Sequence, residues 1–230
     1  MKILVSYKIP AESFAKLGKE HTVTMPDKEF FTTEELERLV PEYDVLLGMF
    51  TRPIENSVID AGTRLKLISN FGVGYNNIDV KYARAKGVAV CNTPKAVCFP
   101  TAEMAMGLML SAARRITECD RRLRVEKESM WGVMNNLGLT LEGRTLGIIG
   151  MGNIGKTVAG MAKAFRMNVI YHNRKSSVEG YEKVDLDTLL RRSDYISIHT
   201  PLNDSTRHLI GKRELELMKP TAILVNTARG

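Results

Sequence analysis

The feature that most constrains this chain is a glycine run, Gly150-Met151-Gly152-Asn153-Ile154-Gly155, set directly after the apolar segment Thr145–Ile149. The G-x-G-x-x-G spacing recurs by chance, so its context decides its meaning. Behind it, Ile154, Val158, Met161, Ala162 and Phe165 recur at helical spacing on one face. A strand, a glycine turn and an amphipathic helix, in that order, form the first half of a βαβ unit. Gly150 allows the tight turn, Gly152 lets the backbone approach a pyrophosphate, and Gly155 lets helix and strand pack closely. The helix start, with Asn153 and Ile154, offers unpaired N–H groups and a positive dipole end to phosphates. A dinucleotide site is therefore expected here, the alternative being a purely structural glycine turn.

In fingerprints of this kind that prefer NAD, a carboxylate about twenty residues further on accepts bonds from the ribose hydroxyls. Here the next strand, Asn168–His172, runs into Asn173-Arg174-Lys175-Ser176. Arg174 and Lys175 suit a 2′-phosphate as ion-pair partners, and Asn173 and Ser176 suit it as hydrogen-bond partners. NADP(H) preferred over NAD(H) is the expectation, with one charge-assisted bond giving about tenfold to a hundredfold discrimination. A surface turn of solvated charges is the alternative.

Elsewhere, strand-like runs alternate with helical or loop segments. They fall at Lys2–Ser6, Val45–Leu47, Leu67–Asn70 and Val88–Cys91, then at Thr145–Ile149, Asn168–His172, Lys183–Val184, Tyr195–His199 and Ala222–Asn226. Such alternation reads as an α/β fold with largely parallel sheets. The segment from Asn92 to Pro100 breaks the rhythm, because Pro94 and Pro100 each remove a backbone donor and bias the preceding residue away from helix. The boundary between a first lobe, residues 1–100, and a second, residues 101–230, is expected there. Thr101 reads as the N-cap of one long amphipathic helix carrying Met104, Leu108, Ala112, Ile116, Cys119 and Leu123. The later strands fit a doubly wound sheet that has lost its sixth strand.

Composition excludes several classes. With 44% hydrophobic and 26% charged residues, the chain is neither disordered nor fibrous. The net charge of +7 permits a polyanionic partner. Yet the densest basic stretch, Arg114 to Lys127, also holds Glu118, Asp120 and Glu126 and has no aromatic residue to stack on bases. It reads as a solvated helix face, and no nucleic-acid partner is expected. The apolar runs are too short or too interrupted for an export signal or a bilayer span, so no membrane partner is expected. Cys91, Cys98 and Cys119 lack metal-ligand spacing, and no metal site is expected. They read as reduced thiols of a cytoplasmic protein, buried as small hydrophobes.

Several stretches together carry a far more specific signal than the glycine run. Asn70-Phe71-Gly72-Val73-Gly74-Tyr75-Asn76-Asn77-Ile78-Asp79, Asn92-Thr93-Pro94 with Thr101-Ala102-Glu103, His199-Thr200-Pro201-Leu202, and Met218-Lys219-Pro220 with Val225-Asn226-Thr227-Ala228-Arg229-Gly230 resemble the signatures of the D-isomer-specific 2-hydroxyacid dehydrogenases. The resemblance runs along most of the chain. It implies a flavodoxin-like substrate lobe and a Rossmann lobe lacking its last strand or strands, with a small 2-oxoacid or 2-hydroxyacid held in a cleft between them. It implies that the Val73 and Gly74 N–H groups hold the substrate carboxylate, and that Arg229 grips carboxylate and carbonyl as the catalytic arginine. Thr101, His199, Thr200, Thr227 and Ala228 would border the cofactor. Thr101 is equally a helix cap, and His199 equally a satisfied core residue. Arg52 could face the substrate or the solvent. The YHNRKS turn points to the branch of glyoxylate, hydroxypyruvate and 2-ketogluconate reductases, and a homodimer paired through the nucleotide lobes is expected.

The family's catalytic Glu and His lie beyond the arginine signature, and none of His21, His172, His199 and His208 stands in its motif for the proton donor. The sequence therefore reads as a truncated dehydrogenase, enzymatic when complete. As it stands it is expected to lack general acid catalysis worth about 10²–10⁴-fold and to expose a sheet edge and an apolar face. A non-enzymatic dinucleotide sensor or co-repressor on the same scaffold is the competing reading. A basic nucleic-acid module is a distant third.

Overall fold

The computed structural model describes residues 1–128 and 132–229. The chain divides into two compact units, Met1–Val97 and Cys98–Gly230.

The first unit is a parallel sheet of β1 (Lys2–Val5), β2 (Thr22–Thr24), β3 (Val45–Met49), β4 (Leu67–Phe71) and β5 (Ala89–Cys91), in the order β2-β1-β3-β4-β5. That is the flavodoxin-like order. Its strands pair in register, with Leu4 opposite Leu46 and Leu46 opposite Ile68. These three side chains are fully buried with Leu36, Val58, Ile59 and Ala83 of the helices α1 (Thr33–Leu39), α2 (Asn56–Ala61) and α3 (Val80–Ala85). Ile3, Val5 and Phe14 form a second cluster. Both faces of a parallel sheet are normally covered, which explains strands that read as continuous apolar runs. Local signals start the helices. Thr32 and Glu35 form a reciprocal capping box at α1, and the Asp79 carboxylate accepts from the Tyr82 N–H at α3.

The second unit holds β6 (Thr145–Ile149), β7 (Asn168–His172), β8 (Glu182–Lys183), β9 (Tyr195–Ile198) and β10 (Ile223–Asn226), all parallel, in the order β10-β9-β6-β7-β8. Counted within the unit this is 3-2-1-4-5, the doubly wound Rossmann order. Its helices are α4 (Cys98–Ala113), α5 (Ile116–Arg121), α6 (Asn153–Ala164), α7 (Leu186–Arg192) and α8 (Lys212–Leu217). The strand order reverses beside β6, so the glycine run at its C-terminal end lies at the topological switch point, where open α/β sheets place ligands. Gly147, at the middle of β6, lets α7 close on the sheet: a Cβ there would meet Ser193 Oγ and the Leu189 side chain.

The structure corrects several expectations. β2 is absent from the sequence reading because its three residues present no periodicity to detect. The strand expected at Lys183–Val184 lies one residue earlier. The helix expected to start at Thr101 starts at Cys98, so Thr101 is inside its first turn and is no N-cap. Pro100 is tolerated because N–H groups in a helix's first turn have no intrahelical acceptor. The long helix also breaks: Arg115 adopts a left-handed conformation, φ 55°, between α4 and α5. Ala102, Ala105, Met106, Met109 and Ala113 form the buried face of α4, in one cluster with Val158, Ala159 and Ala162 of α6. Met104, Leu108, Ile116 and Leu123, the apolar stripe read from the sequence, are exposed. Alanines share the packed face with Met106 and Met109, where α4 meets Val158, Ala159 and Ala162 of α6. Cys91 is exposed, and Cys98 and Cys119 are half-buried, so none is the buried small hydrophobe expected.

The basic stretch behaves as a solvated face. Arg115 pairs with Glu118, Arg121 with Glu126, Arg124 with Asp120, and Arg122 with Glu118 and Glu128. No helix among the described residues is long and apolar enough to cross a membrane.

Candidate functional site

Each glycine of the run meets a different physical demand. Gly150 has φ +99°, and a Cβ there would lie 2.7 Å from the His199 carbonyl oxygen. The turn thus packs against the end of β9, and a side chain is excluded on both counts. At Gly155 a Cβ would collide with the Gly150 carbonyl oxygen. Gly152 is the opposite case, with nothing within 4 Å of the Cβ position. It is also the N-cap of α6, with no side chain bonded to the first-turn N–H groups. A bare helix start beside open space fits the pyrophosphate of a dinucleotide. Asn153 and Ile154 are the first residues of that helix.

The turn after β7 is bonded to the glycine run. Asn173 Oδ1 accepts from the Met151 N–H at 2.7 Å, and Asn173 Nδ2 donates to Ser176 Oγ at 2.9 Å. Asn173 and Ser176, expected to face a phosphate, therefore bond to the protein and to each other. Arg174 and Lys175 are exposed beside them.

His199 lies where β9 meets the loop after β10. Its Nε2 is 2.8 Å from the Oγ of buried Ser197, and its Nδ1 is 3.3 Å from Thr227 Oγ1. Both ring nitrogens are engaged, and burial pushes the imidazole pKa down to about 4, so the ring is neutral. Thr200 follows, with its methyl 3.0 Å from the Gly150 Cβ position. Asn226 folds the next loop: its Oδ1 accepts from the Ala228 N–H at 2.9 Å and its Nδ2 donates to the Arg229 carbonyl at 2.8 Å. Arg229 Nη1 donates to the Ala228 carbonyl at 2.8 Å. Glycine run, Asn173, His199, Thr200, Thr227 and Ala228 thus share the C-terminal ends of adjacent parallel strands. Thr101 lies in the first turn of α4. Gly230, the last residue of the arginine signature, lies outside the described residues.

In the first unit, the loop after β4 is held by its carbonyls. Gly72 O accepts from the Thr93 N–H, Val73 O from Asn92 Nδ2 and Gly74 O from Asn70 Nδ2, at 2.9, 2.8 and 2.7 Å. The Val73 and Gly74 N–H groups have no acceptor among the described residues. Asn77 Nδ2 reaches Asn70 Oδ1, Arg52 O and Met49 O at 3.1, 2.9 and 3.2 Å. The Arg52 guanidinium lies 3.2 Å over the Phe30 ring.

Comparison with known proteins gives this arrangement its context. Residues 106–230 match the family model of the D-isomer specific 2-hydroxyacid dehydrogenase, NAD binding domain. The chain belongs to this dehydrogenase family. It is 40% identical over 237 residues to a glyoxylate reductase of Korarchaeum cryptofilum, covering all of this chain and 71% of that protein. A protein structure from Thermus thermophilus is similar with a TM-score of 0.93 and 35% identity, covering all of this chain and 74% of that one. An acyclic imino acid reductase solved with NADPH and D-Arg is similar with a TM-score of 0.90 and 31% identity, covering all of this chain and 75% of that one.

As a member of these oxidoreductases the chain carries a nicotinamide-dinucleotide domain. Asn70, Asn77, Asn92 and Thr93 of the first unit, quoted in the signature stretches without a role of their own, hold the loops there, and Ser197 of the second unit, which sequence reasoning missed, bonds His199. One signal was available, since Asn70 and Ser197 are polar residues inside apolar strands and are fully buried. A buried polar side chain requires a partner.

Proposed function

We propose that the dehydrogenase uses NADP(H) in preference to NAD(H) and interconverts a small 2-oxoacid, such as glyoxylate or hydroxypyruvate, with the D-2-hydroxyacid. The observation that carries the cofactor half is the end of β7. Arg174 and Lys175 stand there with no carboxylate at the strand end, in a turn bonded to the glycine run through Asn173. Two cations suit a 2′-phosphate, whereas the carboxylate of an NAD-type site would repel it. The similarity to a glyoxylate reductase and to a reductase solved with NADPH supports the reading.

When bound, the cofactor supplies a hydride to C2 of the oxoacid. The Val73 and Gly74 N–H groups take the substrate carboxylate, which asks for donors without competing acceptors. In the second unit, the Arg229 guanidinium suits a carbonyl oxygen and the negative charge that develops on it as the hydride arrives. The carbonyl oxygen gains a proton as the hydride arrives, and none of the four histidines is assigned to deliver it. Arg52, held over Phe30, borders the substrate. Thr101, Thr200, Thr227 and Ala228 line the cofactor, and His199 braces Thr227 and the glycine turn.

Two further parts of the reading concern the whole protein. It acts in the cytoplasm, in keeping with three free cysteines. It forms a homodimer through the second unit, where Met104 and Leu108 of α4 expose apolar surface.

Titration of the chain with NADPH and NADH, followed by nicotinamide fluorescence, tests the cofactor half. Equal or NADH-favouring affinity rejects it. NADPH oxidation by the full gene product with glyoxylate and hydroxypyruvate tests the substrate half, and no turnover on any 2-oxoacid rejects that.

A further inference from the structure

Three consecutive carbonyls, Gly72, Val73 and Gly74, are each held from a strand end: by the Thr93 N–H, Asn92 Nδ2 and Asn70 Nδ2. A peptide unit is planar and trans, so its C=O and N–H point in opposite directions. Fixing Gly72 O therefore aims the Val73 N–H, and fixing Val73 O aims the Gly74 N–H. The two are fixed differently. The Val73 amide is set from the backbone, because Thr93 N–H donates to Gly72 O, and the Thr93 hydroxyl steadies the preceding peptide by accepting from Gly72 N–H at 3.0 Å. The Gly74 amide depends on one side chain, Asn92, 2.8 Å from Val73 O.

We propose that Asn92 is a positioning residue that aims the Gly74 N–H at the substrate carboxylate. The inference rests on the reading of the Val73 and Gly74 amides given above. Asn92 directly follows β5, and the β4–β5 register, Ser69 opposite Cys91, places it beside the loop that leaves β4. At that separation an amide donor on a single methylene spans the gap. Alanine has no donor, and a carboxylate would oppose the carbonyl. The loop has little freedom to compensate upstream, because a Cβ on Gly72 would lie 2.7 Å from Phe50 Cβ. Downstream it is tied through Asn70 to Asn77, which also holds the Met49 and Arg52 carbonyls. Asn92 thus completes a clamp whose other members are already fixed.

The test uses oxalate, a dicarboxylate that cannot be reduced by hydride, as the probe. Amide NMR of the 230-residue chain reports its binding at Val73 and Gly74, and fluorescence reports NADPH binding. Asn92→Ala, which changes no charge, is expected to weaken oxalate about tenfold or more, to change the Gly74 N–H residual dipolar coupling, and to leave the NADPH Kd unchanged. Asn92→His, which keeps an N–H donor at similar reach, restores oxalate binding. Asn76→Ala, an exposed neighbour, changes nothing. Wild-type oxalate affinity in Asn92→Ala overturns the proposal. If Asn92→Ala does not fold, Asn92→His decides: recovery supports the proposal and continued loss of binding overturns it. Wild-type amides that ignore oxalate remove the underlying anion site as well, a failure seen before any substitution is made.

Discussion

Asn173 Oδ1 accepts a hydrogen bond from the Met151 N–H at 2.7 Å, binding the residue after β7 to the middle of the glycine turn. One side chain therefore joins the turn proposed to meet the pyrophosphate to the turn proposed to meet the ribose. Asn173→Ala should weaken NADPH and NADH alike, by about tenfold for one lost bond in a partly buried setting. Arg174→Ala should weaken NADPH alone. Titrating both cofactors against both variants checks the distinction, and a selectivity change in Asn173→Ala would contradict it.

The three glycines separate stability from binding. Gly155→Ala forces a Cβ against the Gly150 carbonyl and should cost about 1–3 kcal/mol of stability, read as a lower Tm. Gly152→Ala places its Cβ in open space at φ −84°, extended backbone outside the left-handed region that demands glycine. Its stability should change by no more than about 0.5 kcal/mol. Its dinucleotide Kd should nevertheless rise tenfold or more, on the order of the 1–3 kcal/mol cost of overpacking, because that open space is where the phosphates are proposed to approach. Urea unfolding with cofactor titration reads both quantities, and unchanged affinity in Gly152→Ala would move the pyrophosphate elsewhere.

The exposed apolar face of α4 makes a further prediction. Leu108 is 43% exposed and Met104 59%, while Ala105 and Met109 on the same helix are fully buried. Leu108→Asp touches no described core and should leave NADPH affinity unchanged. In sedimentation equilibrium it should convert a dimer to a monomer. A wild-type monomer would remove the dimer from the reading.

The same helix shows where sequence was a poor guide. Met104, Leu108, Ala112 and Ile116 fall at helical spacing and look like a core face, but hydrophobic spacing marks a face without saying what covers it. Three of the five buried positions on the inner face are alanines, Ala102, Ala105 and Ala113, beside Met106 and Met109, and alanine is too small to stand out in a periodicity count. Parallel strands such as Leu146–Ile149 were legible because both their faces are buried. The tight turn at Gly150 and the close packing at Gly155 were legible because each follows from local geometry. The asparagine clamp of the first unit was not, since hydrogen bonds between residues 73 and 92 depend on strand order rather than on spacing along the chain.

His199 provides a pH test with a definite sign. Burial lowers its pKa from 6.5 to about 4, so the folded chain keeps the ring neutral where the unfolded chain protonates it. Its contribution is full above pH about 6.5, diminishes as pH falls, and is gone once pH has passed below about 4. The loss across this window is at most about 3.5 kcal/mol, since one pKa unit corresponds to about 1.4 kcal/mol. Ser197 and Thr227 give the neutral ring hydroxyl partners on both nitrogens, and no carboxylate is among its hydrogen-bond partners to favour the cation. His199→Gln should keep one of those bonds, be less stable at pH 7, and show a flatter stability profile between pH about 6.5 and about 4. Urea unfolding across that range decides the point: equal slopes in the two proteins would mean that the ring is protonated as readily folded as unfolded, and that the brace between the glycine turn and Thr227 is looser than its geometry indicates.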